Sequence, residues 1–198
     1  MIAKRFFDLI ISVVGLLFLS PVFLLIAIWI KTDSAGPMFF RQVRVGRFGK
    51  PFRIFKFRTM CADGEASGKQ ITVGDDARIT RAGRFLRRYK LDELPQLLNV
   101  VKGEMSLVGP RPEVPRYVAL YPEGLREKVL SVPPGMTDYA SIEYVDENAI
   151  LAGISDPETV YVERLMPLKL RNYERYVSER SFGTDIKIIL ATLKAIAR

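Results

Sequence analysis

Histidine is absent from the sequence, and cysteine occurs once, at Cys61. Without imidazole, a histidine-ligated zinc site is excluded, and acid–base chemistry falls to carboxylates, lysines, tyrosines or Cys61. A lone cysteine excludes an internal disulfide, which fits a reducing, cytoplasmic setting for the soluble part. Charge is missing in places too. Residues 9–30 carry none, between Asp8 and Lys31. Residues 41–60 hold seven Lys or Arg and no acid, and residues 78–90 hold six more, again without an acid. Most carboxylates lie beyond Leu91, so the net charge of +8 is unevenly spread. A basic half of this kind suits anionic lipid, phosphate-bearing ligands or nucleic acid. The 198 residues suffice for one modest domain plus an attached element, with no internal repeat, heptad array or low-complexity tract.

The uncharged run is 22 residues long. At about 1.5 Å per residue a helix over it reaches roughly 33 Å, close to the ~30 Å hydrocarbon thickness of a bilayer. No small-residue cleavage site follows, so the segment is expected to stay in the protein and insert in the membrane. Lys4 and Arg5 precede it and a denser basic cluster follows, which places the C-terminal bulk on the cytoplasmic side. Ser20 and Pro21 stand at its centre. Pro21 has no N–H, so the Leu17 carbonyl loses its helical partner and the ring bends the helix. The neighbouring Ser20 hydroxyl is the candidate to satisfy that carbonyl. The residues alone leave two arrangements open. A kinked spanning helix sends Lys4 and Arg5 across the membrane; a hairpin keeps both flanks on one side.

Beyond the run, "PMFFRQVRVGRFGKPFRIFKFRTM" alternates apolar and basic residues around Gly46 and Gly49, the pattern of two short strands and a turn. Residues 61–76 read as a polar loop. "TRAGRFLRRYK" has helical spacing, and a second helix is expected over 92–101. "GEMSLVGPRP" reads as turn, short strand and Pro-bounded turn, residues 115–121 and 125–130 as helices, and "VPPGMTDY" as a loop. Amphipathic helices over 159–178 and 183–197 close the chain. In the last, Ile186, Ile189, Leu190 and Leu193 form an apolar stripe suited either to the membrane surface or to the domain core.

Asp92 and Glu93 adjoin in "RRYKLDELPQLLN", directly after the second basic stretch. Asp92 suits an N-cap and Pro95 a first turn, and carboxylates there gain a few tenths to ~1 kcal/mol from the helix dipole. Helix capping alone therefore accounts for the pair. Chemistry accounts for it as well. Positive neighbours and helix N–H groups hold a carboxylate ionised and attract phosphate. An ionised Asp can attack phosphorus, while its neighbour holds Mg²⁺ through oxygen. Arg81, Arg84 and Arg88 share a helix face, solvated or resting on anionic lipid, with Arg87 displaced to one side. Lys56 and Arg58 alternate with aromatics in "FKFRTM", as ordinary edge-strand charges do. Arg111, between Pro110 and Pro112, belongs either to a merely stiff turn or to one that aims a guanidinium at a phosphate or base.

Taken in order, "KRFFDLIISVVGLLFLSPVFLL", "FFRQVRVGRFGKPFRIFKFRTM", "ITRAGRFLRRYKLDELPQLLNVVKGEMSLVGPRP" and "FGTDIKIIL" resemble the bacterial sugar transferases, the monotopic polyprenyl-phosphate phosphoglycosyl transferases, in their small catalytic form. The resemblance covers nearly the whole chain. It implies an α+β, mainly helical fold. A re-entrant, helix-break-helix membrane hairpin, residues 1–33 broken at Ser20 and Pro21, joins a cytoplasmic catalytic domain, residues 34–198, with short strands and surface amphipathic helices. It implies transfer of a sugar 1-phosphate from a UDP-sugar to polyprenyl (undecaprenyl) phosphate, releasing UMP and giving a polyprenyl-diphosphate sugar. The implied place is the cytoplasmic face of the bacterial inner membrane, with both termini cytoplasmic, in the first membrane step of glycoconjugate or polysaccharide assembly. Asp92 is then the nucleophile that carries the phospho-sugar, and Glu93 the Mg²⁺ ligand. Arg111 contacts the nucleotide or its phosphates, and Arg87 and Arg88 are further phosphate-binding candidates. Lys56 and Arg58 lie in the family's basic strand. Anionic lipid is an expected partner and nucleic acid is not. One departure stands out: many members carry PGITG and an Ala-Gln pair where this chain has "PGMTDYASIEY", so Asp138 and Tyr139 fall where the sugar or nucleotide pocket is expected to change.

Two other readings follow from the same features. A membrane-bound adaptor with a basic domain accounts for the anchor and the charge, but not for an acidic pair inserted in the basic region. A single-displacement glycosyltransferase would release UDP instead of UMP.

Overall fold

The computed structural model describes residues 2–61, 76–144, 150–151 and 153–196. Its first element, α1 (Ile2–Asp33), is one helix with Pro21 inside it. The carbonyl that Pro21 cannot serve, that of Leu17, accepts a hydrogen bond from Ser20 Oγ at 2.7 Å, as the sequence suggested. The helix continues through the pair instead of separating there into two elements, because a local hydroxyl replaces the one bond that proline removes.

A helix of 32 residues is roughly 48 Å long, yet side chains near both of its ends touch the same body. Near the start, Lys4 Nζ donates to Asp185 at 2.5 Å, Arg5 donates to the carbonyls of Val100 and Val101, and Asp8 accepts from Ser106 Oγ at 2.7 Å. Near the end, Phe23 packs edge-on against Phe57, Ile26 and Ile30 are buried, and Asp33 accepts from the Ala82 N–H. The outward face is apolar: Phe18 is 83% exposed, Leu17 71% and Leu25 67%. A long stripe of this kind marks an interaction surface for apolar material.

The body begins with an antiparallel hairpin, β1 (Phe39–Val45) and β2 (Pro51–Phe57), with Phe39 opposite Phe57 and Phe40 opposite Lys56. The turn between the two strands is the one expected around Gly46 and Gly49. Helix α2 (Arg81–Arg88) starts at Thr80, whose hydroxyl accepts from the Gly83 N–H. A Cβ on Gly83 would lie 2.0 Å from the Thr59 carbonyl oxygen, so only glycine lets α2 rest on the segment that follows β2.

The helix expected over 92–101 is in fact two elements, a 3₁₀ segment over Leu91–Gln96 with Pro95 inside and then α3 (Leu97–Lys102). Strand β3 (Ser106–Val108) pairs in parallel with β4 (Gly135–Thr137), which lies in the expected loop "VPPGMTDY". Pro133 and Pro134 lack N–H groups, but they end just before the pairing residues. Gly109 and Gly135 then touch backbone to backbone: a Cβ on Gly135 would sit 2.1 Å from Gly109 N. Helices α4 (Pro115–Val118), α5 (Glu123–Leu130), α6 (Tyr139–Glu143) and α7 (Pro157–Val160) follow. A π turn over Tyr161–Leu165 leads into α8 (Met166–Glu179), and α9 (Phe182–Ile196) closes the fold. The stripe on α9 divides: Ile186 and Ile189 are half-buried, while Leu190 and Leu193 stay exposed. The polar loop read at 61–76 lies almost wholly outside the described residues.

Candidate active site

Lys90, not Asp92, is the residue that precedes the 3₁₀ segment, and its backbone is left-handed (φ 54°, ψ 20°). Such a conformation is uncommon for a non-glycine residue and sharply redirects the chain. It turns Asp92 and Glu93 off the end of α2 and towards β2. Strand β2 brings Lys56, whose Nζ donates to Glu93 Oε1 at 2.7 Å. Asn99 of α3 holds that strand just before Lys56, accepting from the Phe55 N–H at 2.8 Å and donating to the Arg53 carbonyl at 3.0 Å.

Arg111 closes the other side of Glu93. One of its guanidinium nitrogens donates to Oε2 at 3.0 Å, and the other is paired with Oε1. The Pro110–Pro112 turn is pinned all round. Gly135 N–H donates to the Pro110 carbonyl at 2.9 Å, Gly109 N–H to that of Thr137 at 3.0 Å, and Arg44 to that of Pro112 at 3.1 Å. The Arg111 N–H donates to Asp138 Oδ2 at 3.3 Å, while the other Asp138 oxygen caps α6 by accepting from Ser141 N–H at 2.6 Å. Asp138, in the part of the sequence that departs from the usual pattern, thus aims the arginine from beneath.

The two adjacent carboxylates differ in charge balance. For Glu93, burial works to raise the pKa, but Arg111 and Lys56 hold it well below the usual carboxylate range. For Asp92 burial prevails and pushes the pKa up, against the pull of Lys56, Arg87 and Lys90 and with the help of Glu93's negative charge. This reverses one sequence expectation. Basic neighbours are present, yet they do not outweigh the loss of water, because Glu93 engages Lys56 and Arg111 directly. Lys56 is itself lowered, by burial first, with Glu93 opposing.

The structure brings together Asp92, Glu93, Lys56, Arg87 and Arg111. Arg87 donates through Nε to Thr59 Oγ1 at 3.0 Å and is among the charges that act on Asp92. It does not bring Arg58 or Arg88 into the group. The Arg58 side chain, 1% exposed, donates to the Ser34 and Ala35 carbonyls, where it caps the end of α1. Arg88 is exposed beside the Tyr89 ring. Sequence reasoning passed over Glu113 and Lys169. Glu113 accepts from Tyr161 Oη at 2.6 Å and pairs with Arg44 at 3.5 Å and Lys169 at 3.7 Å. Its place directly after the Pro-bounded turn was the one available signal. Among the described residues no group of three His, Cys, Asp or Glu side chains is arranged to hold a metal ion. Asp92 and Glu93 are the adjacent carboxylates that Mg²⁺ would use in the mode that takes one or two carboxylates and completes the shell with substrate phosphate and water. Both Glu93 oxygens already accept from Lys56 or Arg111, which leaves their remaining lone pairs and those of Asp92 for such an ion.

A family model described as Bacterial sugar transferase matches residues 1–198. An undecaprenyl-phosphate glucose phosphotransferase of Komagataeibacter xylinus is 42% identical over 98% of this chain, which spans 36% of that protein. A UDP-N-acetylgalactosamine-undecaprenyl-phosphate N-acetylgalactosaminephosphotransferase of Aeromonas hydrophila is 34% identical over 98% of the chain, here 43% of the relative. An uncharacterized sugar transferase, EpsL, of Bacillus subtilis (strain 168) is 38% identical over 99% of the chain and 88% of the relative. The chain thus spans less than half the length of the first two relatives and most of the third. With the match running from end to end and through the Asp92–Glu93 and Arg111 elements, the chain belongs to the bacterial sugar transferase family.

Proposed function

We propose that this chain transfers a sugar 1-phosphate from a UDP-sugar to a polyprenyl phosphate in two steps, through a covalent intermediate on Asp92. The observation that carries the reading is the asymmetry of the carboxylate pair. Glu93 is committed to Lys56 and Arg111, whereas Asp92 is buried among cations and raised in pKa. In the first step an Asp92 oxygen attacks the β-phosphorus of the UDP-sugar; the bond from that phosphorus to the bridging oxygen breaks, and UMP leaves. In the second step an oxygen of the polyprenyl phosphate attacks the same phosphorus, and the bond to Asp92 breaks. The carboxylate is restored and a polyprenyl-diphosphate sugar is formed. Lys56, Arg87 and Arg111 offset the phosphate charge, and the ionised form of Asp92 is the reactive one. When bound, Mg²⁺ held by Glu93 with Asp92 beside it would neutralise charge on the diphosphate. The two longer relatives, sugar phosphotransferases that act on undecaprenyl phosphate by name, agree with this reaction class.

The acceptor is a lipid, and the arrangement we propose for α1 is re-entrant, with both termini on the cytoplasmic face of the membrane. What supports it is that Lys4 and Arg5 at one end and Asp33 at the other engage the same body, while the exposed face between them is apolar. A spanning helix would have to give up one set of those contacts.

The test of the reaction is single-turnover product analysis. UDP-sugar with Mg²⁺ and no acceptor should release UMP stoichiometric with enzyme, and Asp92→Asn should lose the burst and turnover by on the order of 10³-fold or more. UMP that appears only with acceptor present, or turnover retained by Asp92→Asn, would count against the covalent step. Thiol labels introduced at Lys4 and Lys31, with Cys61→Ser as background, should react from one side of the membrane only. An N-terminus labelled from outside would overturn the re-entrant arrangement.

A further inference from the structure

The acidic pair lies between two short helices, and each of them is capped at its far end by a residue of α1. Helix α2 ends at Arg88, just before the Lys90 turn, and the 3₁₀ segment with Asp92 and Glu93 runs directly into α3. At the start of α2, Asp33 Oδ2 accepts from the Ala82 N–H at 2.9 Å, alongside Thr80 on the Gly83 N–H. At the end of α3, Arg5 donates to the Val100 carbonyl at 2.6 Å and to the Val101 carbonyl at 3.0 Å. These are groups of the kind that a helix terminus leaves without an intrahelical partner. Asp33 is itself fixed, because Arg58 donates to the Ser34 and Ala35 carbonyls just beyond it. Arg5 is fixed likewise, since its neighbour Lys4 is paired with Asp185 of α9.

We infer that Asp33 and Arg5 are positioning residues for the Asp92–Glu93 pair, so that the two ends of α1 hold the reacting segment from both sides. The inference rests on the transfer reading proposed above. Helices of eight and six residues are marginal on their own, so what binds their termini sets where they point. Each carries a group on which the pair depends. Arg87 of α2 is among the cations that act on Asp92, and Asn99 of α3 holds the strand that brings Lys56 to Glu93. Release of Asp33 frees α2 to turn and carries Arg87 off Asp92; release of Arg5 does the same to Asn99 and Lys56. Arg111 is independent of both caps, since its turn is pinned by Gly135, Arg44 and Asp138. Loss of either cap therefore slows the chemical step more than it weakens the hold on the donor. Because both caps belong to one helix, the site is complete only when both ends of α1 are seated on the body.

The test is the UMP burst of the full chain in lipid nanodiscs, with Mg²⁺, no acceptor and a saturating UDP-sugar that the wild type cleaves. Its amplitude counts the folded, competent molecules, and its rate constant reports the site within them. Asp33→Ala and Arg5→Met should each lower the rate constant about 10- to 100-fold, the scale of a displacement of about an ångström at the reacting groups. The half-saturating UDP-sugar concentration should stay as in the wild type. Asp33→Asn keeps an oxygen that accepts from the Ala82 N–H, and Arg5→Lys keeps a donor, so both should recover most of the lost rate. A wild-type rate constant with a reduced amplitude in Asp33→Ala and Arg5→Met would make the two residues caps of stability only and overturn the inference. An Asp33→Asn variant as slow as Asp33→Ala would overturn it too. If the wild type releases UMP only with acceptor present, the covalent step fails, and the same factors are read from kcat with acceptor. If it releases none from any UDP-sugar under either condition, the transfer reading fails and takes this inference with it.

Discussion

Two buried acidic centres lie either side of the Pro110–Pro112 turn, and they are built on opposite plans. Glu113 is surrounded by groups that answer it: the Tyr161 hydroxyl, Arg44 and Lys169, with Arg44 also on the Pro112 carbonyl. Burial works to raise its pKa, and Lys169 and Arg44 bring it below the ordinary value. Asp92 is buried to a similar degree, yet its cations are shared with Glu93 and its pKa goes up. A carboxylate whose charge is answered within the protein holds the fold together. One whose charge is left under-compensated is less stable there and keeps its affinity for an electrophile such as phosphorus.

Three measurements break or sharpen that comparison. The largest effect is the loss of the UMP burst in Asp92→Asn described above, since no other group in the site replaces the attacking oxygen. Next is Glu113→Gln, which leaves Lys169 and Arg44 facing a neutral amide and should cost about 3–5 kcal/mol in urea unfolding. Because Glu113 is lowered from 4.5, its contribution is present above that value and is lost as pH falls through the folded pKa. The deficit of the variant should therefore be full at pH 7 and narrow as pH falls below 4.5. A deficit that stayed constant with pH would show that packing, not charge, is what Glu113 supplies.

The smallest effect has the opposite sign. A raised carboxyl contributes stability below its unfolded pKa and loses that contribution as pH rises through the folded one. Asp92→Asn should then melt at a higher temperature than the wild type at pH 8, with the gap closing as pH falls towards the usual carboxylate range. An Asn variant that melts lower at pH 8 would mean that Asp92, like Glu113, is a fully answered structural charge. The same titration sets the acid limb of the burst rate, which should fall as pH drops through the raised Asp92 pKa.

Much of the fold was legible along the chain because its causes are local. The alternation in 37–60 needs only neighbouring residues to become a hairpin, and Thr80 with Gly83 marks the start of α2. Other errors share a physical cause. Gly135–Thr137 looks like a loop residue by residue and becomes a strand only because β3 lies beside it. Residues 92–101 have helical composition, but the left-handed Lys90 and Pro95 tighten the first turn into a 3₁₀ segment. Arg58 and Arg88 looked equivalent to Lys56 and Arg87 as basic residues. Only packing sent Arg58 to the end of α1 and left Arg88 in solvent.

The chain's composition and motifs by themselves determined the absence of histidine chemistry, an apolar helix long enough to enter a bilayer, the acidic pair inside a basic region, and membership of the family. Those properties follow from residue identity and spacing. Which carboxylate is answered and which is not, and how Asp138 aims Arg111, were decided only by tertiary structure. The physical reason is that desolvation and charge pairing depend on what lies within a few ångströms, and here those neighbours come from residues 18 to 37 positions away in sequence, as in Arg111–Glu93 and Lys56–Glu93.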